Sequence, residues 1–479
     1  MVGCIVPASQ DLPLLTHAFH EYPAGMQPAS ARHLLQTVLP GNVVLDPFVG
    51  GGTVVLEAMR AGRYAIGSDI SPLALFVCRG RCWCPSSRVL DAFREASRII
   101  HQASAACAAP EGNPSTPPRA GRNGSSGKDW DTIKGAIADY LKVKGSRSGR
   151  GIEGTAEGIH EGGADLDRSL WFVFSVARSR AAKARHRLAG SRNPLVAADF
   201  FAKVCQEYAA AVEDLKRIVE QGGAPGHPRL PPLLVQRDAR DWKPRHGGRR
   251  GYAPGGIERR PEDRRDATPV SGTPMEACEA VVDTVLTSPP YPGVYDYLSH
   301  AREVRARLGH VPRWGSADAD DAVSESVDFL DSPVPVGRDW ARGWTAGEIG
   351  AKTMVRRRLT DISSGQSSVS SPDDPTQDSR GETRFRTGGA SGVEMEWAKD
   401  EGEWLGAMAG LLKVGGRMAV MVGDGGGVDT RSSLLRGVED LRSTAEGLGQ
   451  LRVLGWATLR AAEGARRNMR TEHLVLLEK

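Results

Sequence analysis

The chain has 479 residues, enough for two or three domains at roughly 100–200 residues each. Hydrophobic residues are only 40% and aromatics 6%, while Gly (57) and Pro (30) are abundant, so long weakly structured insertions interrupting one packed domain are expected. The net charge of +4 does not by itself point to nucleic acid, no glycine period allows collagen, and no apolar run approaches the roughly 18 residues of a membrane span.

The N-terminus, MVGCIVPASQDLPLL, has no basic region before its apolar residues and does not read as a secretory signal. Seven cysteines without scaffold spacing suit a reducing compartment. An intracellular, soluble protein of the cytoplasm or nucleus is expected, with import into an organelle left open. Asn42–Leu45 predicts a short strand ending in Asp46. The Gly-rich turn Val49–Gly52 then leads into a helix over Thr53–Ala61. Tyr64–Gly67 predicts a second strand, ending in Ser68 and Asp69, and Pro72 opens a helix through Arg81. Strand, turn, helix, strand and helix in this order begin a parallel doubly wound sheet. Cys78, Cys82 and Cys84 lack the paired second cluster that a zinc site needs, so helix packing and no metal are expected there.

Ala108–Lys128, Gly145–Asp165, Pro244–Pro274 and Ile362–Gly392 read as linkers, too poor in apolar residues to offset the entropy of ordering. Leu170–Arg187 and Pro194–Glu220 predict inserted helices. Leu233–Gln236 predicts a strand leading to Asp238, and Val281–Leu286 one leading to Ser288-Pro289-Pro290-Tyr291. Trp404–Leu412 predicts a helix stopped by Lys413-Val414-Gly415-Gly416. A strand over Arg417–Val422, a helix over Leu434–Leu448, and a hairpin-like edge pair, Leu451–Leu459 with Glu472–Glu478, complete the chain.

Two loops carry chemistry. Asp46-Pro47-Phe48-Val49-Gly50-Gly51-Gly52-Thr53 joins a strand to a helix, where glycines let backbone approach a ligand closely. It lacks both the G-x-G-x-x-G spacing of dinucleotide sites and the terminal Lys of a phosphate loop. Asp69 ends the next strand about 20 residues on, where an acid can bind ribose hydroxyls, and Asp238 ends a third strand, where it can take an adenine amine. Acids at successive strand ends without a phosphate clamp favour a nucleoside cofactor lacking pyrophosphate, and S-adenosylmethionine fits. In the second loop, Pro289 and Pro290 stiffen the backbone. Ser288 and the next carbonyl can accept the two N–H bonds of an amine. Tyr291 can offer a stacking face worth about 1–3 kcal/mol to a base.

DPFVGGGT followed by TSPPY resembles the amino-methyltransferases of nucleic acids, which methylate exocyclic base nitrogens with S-adenosylmethionine. His20-Glu21-Tyr22-Pro23-Ala24 with Pro28 resembles that family's N-terminal cofactor lid, which adds Tyr22 and Pro23 to the cofactor contacts. Glu57-Ala58, Gly67–Ala74, Val294–Leu298, Leu412–Gly416 and Arg470–Val475 resemble further family blocks. The resemblance implies a Rossmann-like S-adenosylmethionine methyltransferase fold. Its sheet would be mostly parallel and seven-stranded, with helices on both faces and long low-complexity insertions. It assigns Asp46, Pro47, Phe48, Gly50, Gly52, Thr53, Asp69 and Asp238 to the cofactor, and Ser288, Pro289, Pro290 and Tyr291 to catalysis.

The implied division is a first half of the methyltransferase domain at 1–107, a disordered insertion at 108–168, and a helical insertion with the third cofactor strand at 169–243. A basic linker at 244–280, the catalytic segment at 281–310, a largely disordered insertion at 311–392 and the second half at 393–479 follow. Ser at the first catalytic position resembles cytosine-N4 more than adenine-N6 enzymes, although many cytosine-N4 enzymes place SPPY before the Gly-rich loop. The resulting reading is a DNA methyltransferase that flips its target base from the duplex, with Arg-rich loops on the phosphates. Methylation of an RNA amine, as in enzymes acting on guanine N2 of transfer RNA, and an inactive nucleic-acid-binding fold are the alternatives. Oligomeric state is not legible.

Overall fold

A computed structural model describes residues 15–20, 22–23, 25–108, 127–148, 160–187, 196–222, 231–242, 282–291, 390–425, 428–444, 451–459 and 471–479. Its strands are β1 (Val43–Asp46), β2 (Tyr64–Asp69), β3 (Leu233–Gln236), β4 (Val282–Thr287), β5 (Leu412–Gly423), β6 (Arg452–Leu459) and β7 (Glu472–Glu478). They form one sheet in the order β3-β2-β1-β4-β5-β7-β6. β1 to β5 pair in parallel, and β7 runs antiparallel between β5 and β6. This is the Rossmann-like methyltransferase arrangement that the two loops imply.

Strand side chains alternate between two cores, as the two-residue period of a strand requires. Leu45, Ile66, Val285, Met418 and Val420 face one way. They pack with α8 (Ala390–Leu411) and α9 (Thr430–Thr444). Val44, Ala65, Leu286, Ala419 and Met421 face the other way. They meet α1 (Pro28–Thr37) and α2 (Thr53–Arg60). α3 (Pro72–Arg81) starts on Pro72, and its N-cap Ser71 accepts from the Ala74 amide.

A third core belongs to a helical lobe inserted between α3 and β3: α4 (Ser87–Ala108), α5 (Gly127–Ser148), α6 (His160–Arg187) and α7 (Ala197–Gly222). Trp83, Phe93, Trp130, Trp171, Phe172 and Tyr208 fill it. The segment 108–168, read from composition as disordered, therefore contains α5 and the start of α6. The Gly and Lys of α5 hide a stripe, Trp130, Ile133 and Ile137, at helical spacing and fully buried. Lys413–Gly416 follows the end of α8 at Leu411, as expected, and it also belongs to β5. It bulges out of β5, because Val282 pairs with Leu412 and Thr284 with Arg417. Gly415 at φ 77° and Gly416 instead bond the backbone of Lys479. α8 starts 14 residues before the predicted Trp404, and α9 spans Thr430–Thr444 rather than Leu434–Leu448. The basic linker, nearly all of the 311–392 insertion and the Val294–Leu298 block lie outside the described residues.

Candidate active site

At the carboxyl ends of β1 to β4 lies a solvent-open cleft with about 830 Å³ of open space. Parallel sheets place ligands at this edge. Asp46, Pro47, Phe48, Gly50 and Thr53 form its floor, and Tyr22 and Pro23 its lid. Asp69, Asp238, Ser288 and Pro290 stand around it. Two loops that are far apart in sequence thus meet at one cleft.

Gly52 and Pro289 do not line it. Gly52 is the N-cap of α2 at φ 79°, and a Cβ there would lie 2.6 Å from the Cys78 Sγ. Its lack of a side chain lets α3 cross close behind the loop. Cys78 and Cys82 are buried with their sulfurs 3.9 Å apart. Among the described residues no group of three or more His, Cys, Asp or Glu could hold a metal ion.

Asp46 is 3% exposed. Its Oδ1 accepts from Thr287 Oγ1 at 2.6 Å and from the Phe48 amide at 3.2 Å, so it joins the Gly-rich turn to the strand before Ser288. Burial, more than these bonds can offset, pushes its carboxyl up to about 7, and the charge of Asp69 adds to the rise. Asp69 accepts from the Gly50 amide at 2.9 Å and the Ser71 amide at 2.8 Å. Burial still raises it to about 6.

Two expected roles change. The Asp238 carboxylate faces Arg240, which donates from Nε at 3.0 Å and Nη2 at 2.7 Å, and which also reaches Asp400 at 2.9 Å. An adenine amine would have to share it with a guanidinium. Tyr291 is 6% exposed, not an open stacking face. A Cβ on Gly423 would come within 2.5 Å of its ring, and Ser288 Oγ donates to its hydroxyl at 3.3 Å. Stacking on a base would require the ring to leave Gly423.

The sequence reading missed the groups that hold the lid. Arg81 is buried and donates to the carbonyls of Phe19 (2.9 Å), Gly51 (2.8 Å) and His20. One side chain therefore ties lid to turn. Glu57 is buried in α2 and takes a two-pronged bond from Arg32 and a third from His17. An acid inside the run TVVLEAM was its signal, because a buried carboxylate needs cationic partners. These partners lower the pKa of Glu57 against the effect of burial. Arg237, also uncounted, lines the cleft with its guanidinium 4.7 Å from the Trp242 ring.

Residues 16–75 match a family model described as DNA methylase, of the N6/N4 class. A stretch of 71 residues is 38% identical to the Type II methyltransferase M.MvaI of Kocuria varians, covering 14% of this chain and 16% of that enzyme. The chain thus spans about one sixth of the length of this curated relative. No solved structure matches significantly. The matched segment carries the lid, the Gly-rich turn and Asp69, so this part of the chain is similar to the DNA amino-methyltransferases.

Proposed function

We propose that the chain is an S-adenosylmethionine-dependent DNA methyltransferase acting on an exocyclic base amine, with cytosine N4 as the target. The observation that carries the cofactor is the charge of the cleft: two carboxylates, Asp46 and Asp69, line it with one guanidinium, Arg237, while Asp238 is already paired with Arg240. Such a site disfavours polyphosphates and favours a cation. Asp46 and Asp69 both have raised pKa values, and a bound cation relieves that cost. The cofactor, when bound, supplies an electrophilic methyl group on a positive sulfur.

The chain's own residues do the rest. Tyr22 closes on the turn, its ring 3.2 Å from where a Cβ of Gly50 would stand, and keeps water from the floor. Asp69 offers its carboxylate to ribose hydroxyls. Ser288 Oγ leaves Tyr291 to accept one N–H of the amine, and the following carbonyl accepts the other. These bonds localise the nitrogen lone pair, which ring conjugation otherwise withdraws. Asp46 Oδ2 has no hydrogen-bond partner among the described residues. A carboxyl near pKa 7 beside Ser288 is suited to receive the proton that the methylated amine sheds. Positioning and fixed dipoles supply most of the acceleration.

The test is incubation with labelled cofactor and duplex DNA, followed by mass spectrometry of the nucleosides. N4-methylcytosine is the expected product. N6-methyladenine would change the base and keep the mechanism. Methylguanosine from RNA alone would change the substrate, and methylation of a ring carbon would defeat the amine mechanism.

A further inference from the structure

Beside the catalytic loop lies a polar cluster to which this chemistry assigns nothing. Asp424 directly follows β5, and its Oδ2 lies 3.1 Å from His473 Nε2 on β7. A carboxylate only accepts, so that nitrogen carries the proton. His473 Nδ1 meets Thr458 Oγ1 on β6 at 3.0 Å. Asp424 Oδ1 accepts from Thr430 N at 3.2 Å and Thr430 Oγ1 at 3.0 Å, at the start of α9. The Asp424 amide donates to the Thr471 carbonyl at 3.0 Å. His473 and Thr430 are both buried. One carboxylate thus gathers the ends of β5, β7 and α9, and through His473 it reaches β6.

The sequence there is Gly423-Asp424-Gly425-Gly426-Gly427, in which Asp424 supplies the only side chain. Glycine backbone has the most conformational freedom to lose on folding, so this segment needs an external anchor. Gly423 is also the seat of the Tyr291 ring. We propose that Asp424 and His473 are positioning residues for methyl transfer: they brace Gly423, and through it the Tyr291 ring and the Ser288–Tyr291 loop. This rests on the reading that Ser288–Tyr291 is the transfer loop.

The full-length chain carrying His473→Ala or Asp424→Ala tests it. Turnover should fall by about 10- to 100-fold, the range expected when a reacting group is displaced by up to an ångström. Affinity for S-adenosylhomocysteine should stay within about twofold, because the effect is on the transfer step rather than on uniform binding. Hydrogen exchange should quicken in residues 285–291. Asp424→Asn should retain most activity, since its amide can donate to a histidine in the other tautomer while its oxygen still accepts from Thr430. Should the alanine variants not fold, Gly423→Ala, which drives a methyl group into the Tyr291 ring, should reproduce the loss of turnover. Unchanged exchange in 285–291, cofactor affinity falling along with turnover, or an Asn variant as poor as Ala would overturn the brace. A wild-type chain that transfers no methyl group would instead remove the transfer-loop reading, while the exchange measurement still decides the brace.

Discussion

The helical lobe and the sheet bury polar groups of different kinds. In the lobe these are serines: Ser97, Ser104 and Ser169 each bond a carbonyl one turn back in their own helix, and Ser175 meets His20 at 3.2 Å. In the sheet half they include Asp46, Glu57, Arg81 and Glu401. Hydroxyls satisfied locally cost little, whereas buried ionisable groups are costly unless partnered. The costly buried groups therefore lie in the sheet half, with Asp46 among them at the cleft.

The largest expected effect separates the halves directly. Trp171→Ala should lose about 3–5 kcal/mol in urea unfolding, as truncations of buried tryptophans do. The folded fraction should bind cofactor normally; weaker binding would show that the lobe also shapes the cleft. Next comes the cost held at Asp46. Its carboxyl rises to about 7 in the fold, so the folded state binds the extra proton. That contribution to stability is complete below about pH 4 and is lost as pH rises through about 7. At pH 8, Asp46→Asn should gain about 2–4 kcal/mol in unfolding free energy while losing turnover. A variant no more stable than wild type at pH 8 would mean that burying Asp46 is not costly. Asp69→Ala should weaken cofactor binding by about 1.5–3 kcal/mol in calorimetry, the worth of a charged hydrogen bond. Unchanged affinity would remove Asp69 from the site. The smallest change should come from the lobe's own polar groups: Ser104→Ala should shift stability by no more than about 1 kcal/mol. A larger loss would blur the contrast.

The parallel half of the sheet was legible because each strand is a short apolar run ending at an acid or a turn residue, as in VVLD and the segment before TSPPY. The cleft was legible for the same reason, since its residues sit at strand ends. What escaped reading depends on three-dimensional partners. α5 has one narrow apolar stripe amid Gly, Lys and Asp, and only the aromatic faces of its neighbours give that stripe something to pack against. Arg81 looks like any helix-terminal cation, and three carbonyls from two other segments make it a staple. Asp238 has the right position for an adenine contact, yet Arg240 two residues on takes its oxygens. Tyr291 follows the prolines as expected, and only the bare Cα of Gly423, from a distant strand, turns its ring inward.

The placement of the helical lobe also bears on how the chain folds. β2 and β3 pair through Ile66 with Leu233, so the sheet closes only after the whole insertion has been made. Yet Lys216 Nζ, near the end of α7, donates to Ser87 Oγ at the start of α4 at 2.5 Å. A lobe that folds first would bring its own entry and exit together and shorten the effective loop about fivefold, saving about 1.4 kcal/mol of closure entropy. Emerging from the ribosome ahead of β3, it would act as a clasp that delivers the third strand to a waiting edge.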